Sequence, residues 1–95
     1  MLTLSDRLRW ARGLTELSAK QLARLAGLHE THVTLIERGH RTALRASTIS
    51  KLAGALGVRE SWLWGGSGRL PSERSIRAAV REALIAAKSH GEAVS

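Results

Sequence analysis

Residues 18–39, SAKQLARLAGLHETHVTLIERG, predict two short helices joined by a tight turn. Ser18 and Gln21 have the spacing of a capping box, in which both side chains bond free backbone amides at the start of a helix. Gly27 ends this helix because glycine adopts a positive φ without a steric penalty. We therefore expect the first of the two helices over about 18–26.

The second helix, about 30–37, is predicted to cross the first one closely. Ala23 is small enough to let the two backbones approach, while the branched residues Val33 and Ile36 anchor the second helix in the core. This pattern is typical of a helix-turn-helix, in which the outer face of the second helix stays free to enter the major groove of DNA.

The rest of the chain also has helical periodicity, and no long stretch alternates with period two. The predicted fold class is therefore all-α. Glycines and a single proline mark the ends of the remaining segments. Further helices are expected at about 4–12, 46–56, 60–64 and 73–88. We divide the chain into a helical domain over 1–65, a flexible linker over 66–72, and a C-terminal helix with a loose tail over 73–95.

The last helix has an apolar stripe that could be covered in two ways. Its small residues suit close packing against a second copy of the chain, or back against the helical domain. The sequence leaves both possibilities open. The stripe consists of Ile76, Val80, Ala83, Leu84 and Ala87.

The chain is strongly basic, with a net charge of +7 and an isoelectric point near 11.5. A surplus of this size on a small protein is typical of a polyanion binder, because Lys and Arg displace counterions from nucleic acid. Arginine is far commoner than lysine, and its planar fork binds phosphate or guanine. Coding bias in a GC-rich genome would produce the same preference for arginine, but not the charge imbalance.

Several classes of function find no support in the sequence. Cysteine is absent, which excludes disulfides and thiolate metal sites and suits a reducing interior. No apolar run approaches the roughly 20 residues that span a bilayer, and no signal-peptide core follows Met1. We therefore expect a cytoplasmic, nucleoid-associated protein with no membrane partner. Asp6 is the only aspartate and no serine has the setting of a nucleophile, so we expect neither an enzyme nor a cofactor.

The histidines and tryptophans each have a second interpretation. His29 and His32 are three residues apart, as two metal ligands on a helix would be, but without cysteines or a carboxylate cluster we expect no metal site. Trp10, Trp62 and Trp64 could stack on bases, although packing in the core or in a dimer is the expected role of all three.

A set of short motifs gives the sequence a family resemblance between Leu4 and Gly65. In their order and spacing, the motifs resemble the Cro/repressor-type (XRE-type, lambda-repressor-like) helix-turn-helix family. This resemblance implies a five-helix DNA-binding domain, here with an additional C-terminal helix, that commonly binds a two-fold symmetric operator as a dimer. The motifs are Arg7-Leu8, Leu17-Ser18, Gln21-Leu22-Ala23, Gly27-Leu28, Val33, Ile36-Glu37-Arg38-Gly39, Lys51-Leu52-Ala53 and Ala55-Leu56-Gly57-Val58.

The resemblance also implies residues that contact double-stranded DNA. The sequence departs from the family pattern at Ala19, where a phosphate-binding Gln is common, at His29, which replaces a Ser or Thr cap, and at Leu44, an extra loop residue. Phosphate contacts are expected from Lys20, Arg38 and Arg41. Base contacts are expected from Glu30, Thr31, Thr34 and Leu35, with His29 at the entrance of the helix.

Two glutamates carry separate expectations. Glu30 can accept a hydrogen bond from the N4 amino group of cytosine while neighbouring methyl groups pack on thymine, or it can simply stabilise the helix dipole. Glu37 is expected to pair with an arginine such as Arg7, or to brace a backbone amide.

The leading hypothesis is a sequence-specific transcriptional regulator, such as a phage-type repressor, a restriction-system controller or an antitoxin-like autoregulator. We expect a homodimer whose half-sites are about 10 bp apart. The alternative is a protein-interaction or antitoxin-type module that binds a protein partner through residues 73–88.

Overall fold

The computed structural model describes residues 3–40 and 44–94, with side chains described as far as residue 87. These residues form six α-helices and no strand, which confirms the all-α prediction of five helices with an additional C-terminal helix. The helices are α1 (Leu4–Leu14), α2 (Ala19–Ala26), α3 (Glu30–Glu37), α4 (Ala46–Leu56), α5 (Glu60–Gly65) and α6 (Glu73–Val94).

The helix starts follow the local sequence. Ser18 and Gln21 form the predicted capping box of α2, with Ser18 Oγ 3.0 Å from the Gln21 amide and Gln21 Oε1 2.8 Å from the Ser18 amide. A second capping box at α1, between Thr3 and Asp6, was not predicted from the sequence. Hydrogen bonds to the Thr3 backbone and hydroxyl hold the pKa of the Asp6 carboxyl below its usual range, because they stabilise the ionised form.

Two helices extend beyond their predicted ends. α1 reaches Leu14 and α6 reaches Val94, whereas the sequence predicted ends at Arg12 and Lys88. The weakening residue in α1 is Gly13, and one glycine weakens a helix by about 1 kcal/mol without ending it. The predicted flexible linker over 66–72 stays a prediction.

One apolar core joins all six helices. The crossing of α2 and α3 buries Ala23. Around this pair, α1 packs on α3 and α4 packs on α2, while α5 packs on α1 and α4. Trp62 is buried and its ring meets Trp10 edge to face, with 5.8 Å between centroids. Trp64 is 48% exposed, so it does not belong to the core of a single copy, and packing in a dimer stays a prediction for it. The largest fully buried side chains are Leu8, Leu22, Val33, Ile36, Leu52, Leu56, Leu63 and Ile76.

The first turns of α6 pack on their own domain, mainly against α4 and α1. Ile76 and Val80 are buried there, and Arg77 Nε donates to the Leu14 carbonyl at 3.0 Å. The rest of the predicted stripe is not covered in the same way, since Leu84 is 44% exposed and Ala87 is also exposed. Within a single copy, α6 is therefore longer than the surface it packs on, and what covers the rest of its stripe stays a prediction.

Arg7 and Arg12 anchor α1 to different neighbours. Arg7 Nε and Nη2 donate to the carbonyls of Leu63 and Trp64, at 2.9 and 2.7 Å, near the end of α5. Arg12 makes a two-point ion pair with Glu37, with 2.6 Å from Nε to Oε2 and 2.7 Å from Nη2 to Oε1. Glu37 thus pairs with an arginine, as expected, and this arginine is Arg12. Five residues correspond to about 140° around a helix, so the two arginines point to different sides of α1.

Candidate nucleic-acid interface

The outer face of α3 carries the predicted base-contacting residues. Glu30 and Thr31 are exposed, and Thr34 and Leu35 are partly exposed on the same side of the helix. On the opposite side, Val33 and Ile36 are buried in the core. The packing predicted from the sequence is therefore present, and it leaves this face open to solvent.

Short hydrogen bonds fix the side chains of this face. His29 is the N-cap of α3, and its Nδ1 atom lies 3.3 Å from the Thr31 amide and 2.8 Å from the Thr31 hydroxyl. One turn later, Thr34 Oγ1 donates to the Glu30 carbonyl at 3.2 Å. The histidine thus fills the capping role of the more usual Ser or Thr, and both threonine hydroxyls have a local partner.

The C-terminal end of α3 is tied to α1. The Arg12–Glu37 ion pair joins the two helices, and the Ser5 hydroxyl donates to the Glu37 carbonyl. Arg12 also donates to the Leu17 carbonyl at 2.8 Å, which links the turn before α2 to the same group. The hydrogen bond with Glu37 raises the pKa of the Arg12 guanidinium, because the carboxylate stabilises the cation. These bonds hold α3 in a fixed orientation on the domain.

Two of the predicted phosphate contacts are exposed basic side chains. Lys20, near the start of α2, and Arg38, directly after α3, are both exposed. Arg41, the third predicted phosphate contact, lies outside the described residues. A groove between the starts of α1 and α2 and the end of α3 is lined by Ser5, Arg9, Ala19, Thr34, Glu37, Arg38 and His40.

The family model described as "Helix-turn-helix" matches residues 8–63, more than half of the chain. The chain belongs to the Cro/repressor-type helix-turn-helix family. It is therefore a helix-turn-helix protein of a DNA-binding regulator family. Neither the curated proteins nor the solved structures gave a significant match.

Arg9 and His40 are candidate contacts of this helix-turn-helix protein that sequence reasoning missed. Both line the groove beside Arg38 and Thr34. Arg9 also pairs with Asp6, 2.8 Å away, in an exposed i, i+3 ion pair. Their basic character was visible in the sequence, but their position depends on how α1 crosses α3, which helix periodicity does not determine.

A second basic groove lies on the other side of α3, against the start of α4. Arg45 and Lys51 are exposed there, and Arg45 caps α4 without a side-chain hydrogen bond. The Nδ1 atom of His32 is buried and has no hydrogen-bond partner among the described residues. The residues that line this groove are Leu28, His32, Leu44, Arg45, Ser47, Thr48 and Lys51.

Residues 3–40 and 44–94 contain no group of three His, Cys, Asp or Glu side chains placed to hold a metal ion. Among the same residues, each helix is too short or too polar to cross a membrane.

Proposed function

We propose that this protein is a sequence-specific repressor that reads the major groove of double-stranded DNA with α3. The observation that carries the proposal is the division of α3 into two sides. Val33 and Ile36 are buried, while Glu30 and Thr31 are exposed to solvent. The cations Lys20 and Arg38 are exposed as well. A helix held in this way, on a chain with a net charge of +7, suits a polyanionic groove.

In this proposal the predicted contact residues have two roles. Base edges are contacted by Glu30, Thr31, Thr34 and Leu35, with His29 at the entrance of the groove. Lys20, Arg38 and Arg41 bind phosphates and set the register of α3 on the duplex. Repression then requires only that the bound protein and the transcription machinery compete for the same DNA. In this proposal the protein acts in the cytoplasm, on the DNA of the nucleoid.

A salt titration tests the proposal. Binding to a selected duplex and to random duplex is measured between 50 and 200 mM salt. Neutralising six to ten phosphates predicts a fall in affinity of about 10³- to 10⁵-fold over that range. Lys20→Ala and Arg38→Ala should each reduce the slope of log affinity against log salt by about 1.

Arg74→Ala provides the matched control, because it removes an equally exposed arginine from α6, outside the proposed DNA face. This variant should keep the slope of the unmodified protein. An affinity that does not respond to salt would contradict DNA binding altogether.

We further propose that two copies pair through the distal half of α6. Leu84 and Ile85 are 44% and 63% exposed and flank a groove between α6 and the turn after α1. The charged residues that line this groove are Glu16, Arg77 and Arg81, and Arg77 is paired with Glu73, 2.7 Å away. These four charges cancel, so the apolar patch can meet its own copy with little repulsion.

Sedimentation equilibrium tests this pairing. The unmodified protein should be a dimer, and Leu84→Ser combined with Ile85→Ser should make it a monomer. Leu70→Ser is the control, because Leu70 is equally exposed at 58% but lies outside the patch. A monomeric unmodified chain would refute the dimer and leave residues 73–88 as the surface for a different protein partner.

A further inference from the structure

We infer that the outer face of α3 presents hydrogen-bond acceptors to the major groove, and that it therefore selects bases with an amino group on that edge. The inference rests on the proposed function, which supplies the major groove as the ligand. We call Glu30, Thr31 and Thr34 the acceptor cluster. On the DNA strand that this cluster faces, cytosine should be favoured most and guanine least.

The hydrogen bonds of His29 determine the direction of the Thr31 hydroxyl. The Thr31 backbone amide points at His29 Nδ1 from 3.3 Å, and an amide can only donate. Nδ1 is therefore an acceptor without a proton. The Thr31 hydroxyl lies 2.8 Å from the same nitrogen, so its proton is directed at His29. Thr31 then offers only oxygen lone pairs and its methyl group to a base.

Thr34 is constrained in the same way by the backbone. Its hydroxyl lies 3.2 Å from the Glu30 carbonyl oxygen, which can only accept. The hydroxyl proton is therefore used within α3, and lone pairs remain on the outer side. This bond and the His29 bond leave neither threonine hydroxyl with a proton for the groove.

Glu30 completes the cluster. Its side chain is exposed in the first turn of α3, and an ionised carboxylate accepts hydrogen bonds without donating any. Hydrogen bonds to a charged group are stronger than those between neutral groups, so Glu30 should dominate the selection.

The four bases differ in the donors and acceptors that they present to the acceptor cluster in the major groove. Cytosine offers only the N4 amino donor, which all three side chains can accept. Adenine offers an amino donor beside the lone pair of N7, while thymine offers an O4 acceptor beside a methyl group that Leu35 or a threonine methyl can contact. Guanine presents two acceptors, N7 and O6, to a carboxylate and two lone-pair-bearing oxygens, and is therefore excluded most strongly.

His29 supplies a hydrogen-bond donor at the entrance of the major groove. Because His29 Nδ1 accepts, the proton of the neutral ring is on Nε2, on the side away from Thr31. His29 is exposed, so Nε2 can donate to a phosphate or to an acceptor on a base outside the cluster. His29 thus accepts the hydroxyl proton of Thr31 at Nδ1, and it offers a proton of its own from Nε2 at a separate position.

The test is selection of bound duplexes from a random pool, followed by base analogues on the selected sequence. We expect cytosine at the positions that face the cluster. Replacing that cytosine with N4-methylcytosine, whose remaining amino proton still pairs with guanine O6 while the methyl group takes the place of the major-groove proton, should weaken binding of the unmodified protein about tenfold, the effect of about 1.4 kcal/mol. This measurement uses no protein variant, so it does not depend on the folding of one.

Protein variants assign the preference to individual side chains. Glu30→Gln adds an amide donor and should admit thymine or guanine at one position of the selected site. Glu60→Gln is the matched control, because Glu60 is likewise an exposed glutamate in the first turn of a short helix, α5. It should leave the selected sequence unchanged. Thr31→Val keeps the shape of the side chain but removes the acceptor, and should weaken binding to the cytosine site about two- to tenfold.

The outcomes separate the inference from the function on which it rests. If no sequence is enriched, the proposed sequence-specific function is wrong. If a sequence is enriched but guanine is accepted at the facing positions, or the analogue binds as well as cytosine, the acceptor cluster is wrong and sequence-specific binding still stands.

Discussion

The turns after α2 and α4 share one backbone conformation but have very different surroundings. Gly27 and Gly57 both adopt left-handed geometry, with φ of 73° and 68°. A Cβ atom added to Gly27 would meet open space, whereas one added to Gly57 would lie 2.2 Å from the Cβ atom of Ala79. The first turn is needed for the chain to reverse, and the second is needed both for reversal and for the close approach of α6. The helix-turn-helix thus depends on local signals, and the attachment of α6 depends on a long-range fit.

The two halves of α6 should contribute very differently to stability. Ile76 is fully buried and Leu84 is 44% exposed, although both belong to the same predicted stripe. Ile76→Ala should lower the free energy of unfolding by about 3–5 kcal/mol, because it removes buried methyl groups and leaves a cavity. Leu84→Ala should lower it by less than about 1 kcal/mol in the monomer. Urea unfolding at low protein concentration measures both, and equal losses would contradict the division of α6.

The glycine comparison gives a second pair of variants. Gly57→Ala should destabilise the protein by about 3 kcal/mol, since the left-handed conformation costs about 1–2 kcal/mol and overpacking against Ala79 adds a similar amount. Gly27→Ala incurs only the conformational cost, about 1–2 kcal/mol. Urea midpoints of the two variants supply the difference. If Gly27→Ala proves the more damaging change, the close contact with α6 has little energetic weight.

These pairs also show what the sequence could predict about the fold. Ser18, Gln21 and Gly27 act within four residues of the helix ends they determine, so α2 and its turn could be predicted correctly. The buried extent of α6 depends on how far the rest of the domain reaches, and the pairing of Glu37 with Arg12 depends on the side of α1 that faces α3. The pattern of residue types along one helix shows neither how far the domain reaches along α6 nor which side of α1 faces α3.

The sequence likewise predicts one part of the candidate site and not another. The outward direction of Glu30 and Thr31 followed from the burial of Val33 and Ile36, which helical periodicity predicts. The hydroxyl directions did not follow, because they depend on the rotamers of His29 and Thr34 and on distances of about 3 Å.

Ion pairs extend the comparison between the helix-turn-helix and α6. Glu37→Gln should lower the free energy of unfolding by about 2–3 kcal/mol. This loss is below that expected for a fully buried pair because the Arg12 side chain keeps 26% of its surface exposed. Glu73→Gln breaks the exposed pair with Arg77 on α6 and should lower the free energy of unfolding by less than about 1 kcal/mol. Thermal unfolding of both variants in the same buffer measures the contrast, and similar losses would mean that the Arg12–Glu37 pair does not hold α1 and α3 together.

A substitution in the turn after α1 should have the smallest effect on the free energy of unfolding, and it should stabilise the protein. Where α2 and α4 place glycine in the left-handed region, this turn places Glu16, with φ of 62°. A non-glycine residue there costs about 1–2 kcal/mol, and glycine would recover part of it while adding about 0.5–1 kcal/mol of unfolded-state entropy. Glu16→Gly should therefore stabilise the protein by about 0.5 kcal/mol, which is about 2–4 °C in the unfolding temperature of a chain this size. Glu16→Ala removes the same carboxylate but keeps the strained backbone, so it should show no gain. If the alanine variant is stabilised as much as the glycine variant, the carboxylate rather than the backbone is the source of strain, and this turn does not follow the rule that Gly27 and Gly57 obey.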